Sequence, residues 1–338
     1  MQKMPTVLIT GVAGLLGANF SRYLLNKGYK VVGIDDFSGG YDFCVPKNIQ
    51  CFEIQLGSSQ KYVKKDIEFV FDKEKPDYVF HFAAHAAVCL SPFTRHQNYT
   101  NNILASADII NSCINYDVKK IIFSSSMDVY GNNKAPFTED MIPAPLDPYG
   151  IAKYAVEMDL KSASDFFGLN YSIVRPHNVV GIYQNIWDRY RNVIGIWIRK
   201  ILANEPITIY GDGTQIRAFS DISFYMEPFE KLMYDFNGET FNIGADKEYS
   251  LNEVADIVTK IANELGYDVR RTYLEKRDEV HVAYSDHTKA KNLLNFKDDT
   301  NLEKTVREMF TWASKIPPKQ VKYANYEVTK NLYPYWKK

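Results

Sequence analysis

"TVLITGVAGLLGANFSRYLL", residues 6–25, sets a short apolar run against a glycine-rich turn and then an amphipathic helix. The run ends at Gly11, and Gly14 and Gly17 follow at intervals of three. A strand that breaks into a glycine turn and re-forms as a helix suits phosphate binding. Glycines allow a tight turn and close backbone approach, and the first helical amides carry partial positive charge. A glycine trio alone equally describes a flexible turn. The next apolar run decides between them, because "KVVGIDD" delivers Asp35 at its end. A carboxylate there can accept bonds from an adenosine ribose diol and would repel a 2′-phosphate. The two runs together predict a site for NAD rather than NADP.

The same rhythm continues outward from this stretch. "CFEIQ", "DYVFHFAA", "KKIIFSSS" and "YSIVRP" are apolar runs without polar alternation, separated by helical patterns. Such strands are covered on both faces, which predicts an α/β fold with a doubly wound, Rossmann-like parallel sheet. After residue 178 the order becomes irregular, and a smaller mixed α/β C-terminal substrate domain is expected. "NVIGIWIRKILANEP" reads as a helix, "ITIYGDG" as strand and turn, and "FNIG" as a short strand. "SLNEVADIVTKIANELG" opens on a capping box, Ser250 with Glu253, and stops at Gly266. Helices are expected near 286–296 and 301–315. The reading assigns residues 1–178 to the cofactor domain, with 220–248 returning to it, and 179–219 with 249–320 to the substrate domain. Residues 321–338 form an aromatic, basic tail, expected to pack on its own or a neighbouring subunit.

Composition removes other classes. Of 338 residues, 40 are Lys or Arg and 41 are Asp or Glu, so no global field draws the chain to nucleic acid or an anionic membrane. Anionic ligands must be met by local donors. The first apolar run is too short for a signal-peptide core, and no run of about 18 apolar residues follows, so a cytoplasmic protein is expected. Cys44, Cys51, Cys89 and Cys113 have neither C-x-x-C spacing nor partnering histidines, which suggests neither a metal site nor a disulfide framework.

"DPYGIAKYAVEMDL", residues 147–160, carries the chemistry. Asp147 can cap a helix that opens with Pro148. Tyr149 and Lys153 then lie four residues apart on one face. An ammonium near the phenol favours phenolate, lowering a pKa that is ordinarily about 10. A lone Tyr-x-x-x-Lys is more often a core tyrosine beside a solvated lysine. Here, however, "IIFSSSMDVYG" places Ser124, Ser125 and Ser126 at a strand end, on the edge of the sheet where such folds hold ligands.

These motifs together resemble the extended short-chain dehydrogenase/reductases, in their nucleotide-sugar epimerase branch, over residues 6 to about 315. The resemblance implies that Ser126 and Tyr149 hold the sugar hydroxyl while Lys153 binds the nicotinamide ribose. It places Leu15, Leu16, Asp35, Asp36, Phe37, Ser38 and Gly39 along the adenosine and pyrophosphate. It lines the rest of the cofactor pocket with Phe82, Ala83, Ala84, Asn101, Ser124 and His177. Asn178 and Arg217 are implied at the substrate's diphosphate, with Asn192 and either Arg277 or Lys276 as further contacts. The implied reaction is 4-epimerisation of a UDP-sugar, and the implied assembly is a homodimer through the helices near 101–116 and from 148.

Departures from the family pattern bear on the substrate. Gln55 and Ala86 stand where many or some relatives have Asp and Lys. Ala283 stands where certain members place a tyrosine, and its small size is expected to admit an N-acetyl group. Met127 breaks the Asp-Glu pair of the 4,6-dehydratases. Asp128 lies where UDP-glucuronate decarboxylases have a glutamate, so decarboxylation, and uronate 4-epimerisation beside it, remain alternatives. A catalytically silent dinucleotide sensor is the non-enzyme alternative, disfavoured because Ser126, Tyr149 and Lys153 are all present.

Overall fold

The computed structural model describes residues 4–58, 63–277, 279–319, 321 and 325–336. Its first elements are β1 (Thr6–Thr10), α1 (Leu15–Asn26), β2 (Lys30–Asp35), β3 (Gln50–Glu53), α2 (Val63–Glu74) and β4 (Tyr78–His81). After these come α3 (Arg95–Tyr99), a π turn at Thr100–Leu104, α4 (Ala105–Asn115), β5 (Lys120–Ser124), α5 (Pro148–Phe167) and β6 (Tyr171–Pro176). Further on, α6 spans Val193–Leu202, α7 spans Met226–Tyr234, and β7, Glu239–Ile243, returns to the sheet beside β6.

Among the described residues the sheet is parallel, with order β7-β6-β5-β4-β1-β2-β3. Every residue of β1, β4 and β5 is buried, as strands covered on both faces require. One apolar cluster packs beneath α2, α4 and α5, and a second joins the opposite face to α1 and α7. The strand order reverses between β1 and β4. The crevice outside their carboxyl ends is where an open α/β sheet takes its ligand.

The C-terminal unit has its own core, built from Trp197 and Ile198 of α6, Val254 and Val258 of the helix Leu251–Glu264, and Val306 and Phe310 of the helix Leu302–Ala313. The Ser250–Glu253 capping box forms as read from the sequence. Of the tail, residues 322–324 and 337–338 lie outside the described residues. The remainder packs on its own chain, with Leu332 and Trp336 set against Ala87, Leu90, Phe93 and Tyr190.

Candidate active site

Gly11, at φ 71°, is the pivot of the crevice: a Cβ there would stand 2.7 Å from the Ala83 amide nitrogen. Gly17 is as constrained, since its Cβ would meet the Gly11 carbonyl at 2.3 Å. Helix α1 starts at Gly14 with no side-chain cap, so its first amides remain open to an anion. Leu15 and Leu16 stand at that first turn, their side chains packed on the second core cluster. Asp35 accepts from the amides of Ala13 (2.9 Å) and Phe37 (2.8 Å), which ties the ribose-side acid to the glycine turn. Asp36 turns inward on its own loop and accepts from the Ser38 amide. Phe37 adopts the left-handed region at φ 55°, and Gly39 and Gly40 follow, Gly40 lying against Ala13. Ala83 and Ala84 continue from β4, while the Phe82 ring packs among Phe20, Phe80 and Phe229. This cradle fits a dinucleotide: glycines where a side chain would fill it, open amides, and an acid for the ribose.

On the sugar side, Asp147 accepts from the amides of Tyr149 and Gly150, capping α5 and fixing where the phenol lies. The Ser91 hydroxyl reinforces this start, standing 3.3 Å from both the Asp147 carboxylate and the Tyr149 amide. Tyr149 is buried, with Ser126 near enough to lower its pKa. Ser126 also donates to Asp128 Oδ2 at 2.9 Å. Beneath them Glu157 accepts from Arg175 at 2.6 and 2.9 Å and from Ser125 Oγ at 2.5 Å, a buried network anchoring the serine-rich strand end.

The electrostatics differ from the expectation drawn from Lys153. Burial, followed by the nearby Asp128 carboxylate, pushes the Tyr149 phenol up; Ser126 and Arg191 pull it down. The Lys153 ammonium lies 5.8 Å from the tyrosine ring and donates to the Ser124 carbonyl at 2.7 Å, so it is turned to the end of β5 rather than to the phenol. Its own pKa falls to about 7, from burial. Asp128 rises to about 6, from burial and the Asp147 charge.

Several residues expected in the site are engaged elsewhere. Asn101 donates to the Gln97 carbonyl of its own helix; its neighbour Asn102 holds the crevice loop, accepting from the His85 amide at 2.8 Å. The π turn at Thr100–Leu104 widens the helix there, and a face counted at 3.6 residues per turn comes out of register. The buried His177 stacks on His287, with ring centroids 4.8 Å apart, and burial holds its pKa well below the ordinary value. Its ring belongs to the seam with the C-terminal unit. Arg217 donates to the carbonyls of Ile216, Val280 and His281 and to Glu279, so its donors bind its own strand and the facing 279–281 segment. Arg277 lies 3.4 Å above the Tyr210 ring and donates to Tyr335 Oη, covered by the tail, whereas Lys276 is exposed. Asn178 Nδ2 donates to the Ala218 carbonyl, and Asn192 caps α6 through Ile194 N. Ala283 is buried beside Met127, Val129, Tyr130 and Phe137.

Two cations at the crevice had no assignment from the sequence. Lys319 donates to the carbonyls of Phe37 and Gly40, and Arg191 stands over Gly39. The i,i+3 spacing of Asp188 and Arg191 was a readable signal of an ion pair; nothing local marks Lys319.

Fold and cradle thus point to an enzyme that works with a dinucleotide. Residues 7–244 match the model of the NAD dependent epimerase/dehydratase family, and the chain belongs to that family. It uses NAD. A putative UDP-glucose 4-epimerase of Methanocaldococcus jannaschii is 30% identical, over 90% of this chain and 97% of that protein. A UDP-glucose 4-epimerase of Thermotoga maritima, solved with UDP-glucose, superposes with a TM-score of 0.84 at 31% identity, covering 91% of this chain and 98% of that one. The UDP-glucuronic acid 4-epimerase of Bacillus cereus, solved with UDP-glucuronic acid and NAD, gives 0.80 at 26% identity with the same coverage. Among the described residues no helix is long and apolar enough to cross a membrane.

Proposed function

We propose that this protein inverts C4 of a UDP-hexose through a transient 4-keto sugar, with Ser126, Tyr149 and Lys153 as its working residues. The observation supporting this reading is the capped start of α5, which holds Tyr149 near enough to Ser126 for the serine to lower its pKa. NAD, when bound, takes hydride from C4 and returns it to the opposite face, so none is consumed. Tyr149 Oη removes the proton from the 4-hydroxyl and later gives it back, and Ser126 Oγ shares that hydrogen bond. Lys153 holds the nicotinamide ribose at the end of β5. Residues 1–178 with 220–248 make the cofactor unit, 179–219 with 249–320 the sugar unit, and the working form is a homodimer.

Asp128 favours a second reading. Asp128, to which Ser126 donates, lies where UDP-glucuronate decarboxylases have a glutamate, which supports a UDP-glucuronate decarboxylase or a uronate 4-epimerase as the alternative. Incubation with UDP-glucose, UDP-N-acetylglucosamine and UDP-glucuronate separates these outcomes. Unchanged mass with inverted C4 supports epimerisation, loss of carbon dioxide supports decarboxylation, and inertness toward all three refutes the enzyme reading in favour of a dinucleotide sensor.

A further inference from the structure

The middle of the dinucleotide lacks a cation in the reading above. Helix α1 has no basic residue in its first turn for the pyrophosphate. The other cations near the crevice are held by the protein itself: Lys153 on Ser124 O, Lys319 on Phe37 O and Gly40 O, and Arg22 through Nη1 on Ala18 O and Cys44 O with its guanidinium over the Tyr183 ring. Arg191 differs. Its Nε donates to the buried Asp188 at 2.9 Å, while its two terminal nitrogens donate to no described residue.

Its position is fixed from three sides. On one, Nη2 lies 2.7 Å from where a Gly39 Cβ would be, and the Gly39–Gly40 step rests directly on Ala13 of the glycine turn. On the others its charge reaches His85, at the end of β4, and the Tyr149 phenol. His85 Nε2 is itself buried without a hydrogen-bond partner. The guanidinium therefore stands over the loop that follows Asp35, with its charge felt at the Tyr149 phenol. A dinucleotide stretched between those points puts its doubly charged pyrophosphate there.

We propose that Arg191, steadied by Asp188, is the diphosphate-binding guanidinium of this crevice, and that the group it holds is the pyrophosphate of NAD. Glycine at 39 follows from this arrangement, since any side chain there would displace the fork. The inference rests on NAD lying in the crevice, not on which sugar is turned over.

Titration calorimetry of the purified protein tests it directly. Arg191→Met is expected to weaken NAD and ADP-ribose by roughly 10- to 100-fold, the worth of a charge-assisted fork, and to leave adenosine unchanged. UDP titrated into NAD-loaded protein forms the second arm. Loss confined to UDP overturns the assignment to the cofactor and transfers the fork to the substrate's diphosphate. Unchanged affinity in both arms overturns the proposal entirely. If Arg191→Met does not fold, Arg191→Lys carries the same comparison, with a several-fold loss expected and unchanged affinity contradicting it. Failure of wild type to turn over any sugar, with NAD binding intact, refutes the proposed function without touching this result.

Discussion

Tyr149 and Asp128 both lie near Ser126, and the Asp128 charge raises the phenol's pKa, so the pair sets the pH behaviour of the site. With burial and Asp128 both raising the phenol, Lys153 does not by itself deliver phenolate; the positive nicotinamide ring is the charge that remains to do so. Tyr149→Phe is expected to fold and to bind NAD as wild type does, while turnover falls by about 10³-fold, the scale of a lost general base. Turnover within a few-fold of wild type would contradict the role. Asp128 gives a stability test. Its folded pKa, about 6, is above the ordinary 3.8, so between those values the folded state holds more protons than the unfolded one. Its contribution is therefore most favourable below pH 4 and is lost as pH rises through 6. Asp128→Asn should stabilise the protein at pH 8 by up to about 3 kcal/mol and by little near pH 4, read from urea midpoints at both pH values. Equal effects at the two pH values would show that the carboxyl group is not titrating as described.

Helix α5 converts sequence into active-site geometry, because its cap and its chemistry occupy adjacent residues. Asp147→Ala removes the acceptor for two amides and should cost about 1 kcal/mol in denaturant unfolding. It should also lower turnover by loosening Tyr149, and Asp147→Asn should restore most of both. A variant as stable and as active as wild type would show that Ser91 alone fixes the helix start. This element was legible in sequence, as were β1 to β6: apolar runs buried on both faces need no distant information, and the more exposed edge strand β3 follows from their rhythm. The π turn was not, since one extra residue in a helical turn leaves no mark on hydrophobic spacing. The partners of the arginines were not legible for a related reason. A motif identifies the residue that reaches a strand position, but Arg217 is directed by Glu279 and Arg277 by Tyr210, Tyr335 and Trp336, all distant in sequence or on other elements.

Across the whole molecule the C-terminal segment ties cofactor side to sugar side. Lys319 binds the loop after β2, Tyr326 meets Tyr190 through their hydroxyls at 2.6 Å, and the Glu327 carboxylate accepts from the His96 and Gln97 amides at the start of α3. Trp336 then closes on Phe93 and Tyr190. Leu104, Ile151 and Met158 are exposed on adjoining helices, while Ile109 and Ile110 are spent in the core. The proposed homodimer uses these exposed residues, so Met158→Glu should convert a dimer into a monomer by light scattering; a wild-type monomer, or a variant that stays dimeric, would refute this surface. The central claim, hydride withdrawn from C4 and returned to its other face while Tyr149 handles the proton, is tested most directly with 4-deuterated UDP-glucose and UDP-glucuronate in ordinary water, followed by NMR. The account predicts a C4-inverted product that keeps its deuterium, formed by wild type and almost abolished in Tyr149→Phe; washout of the label to solvent, or inversion undiminished in the variant, would contradict it.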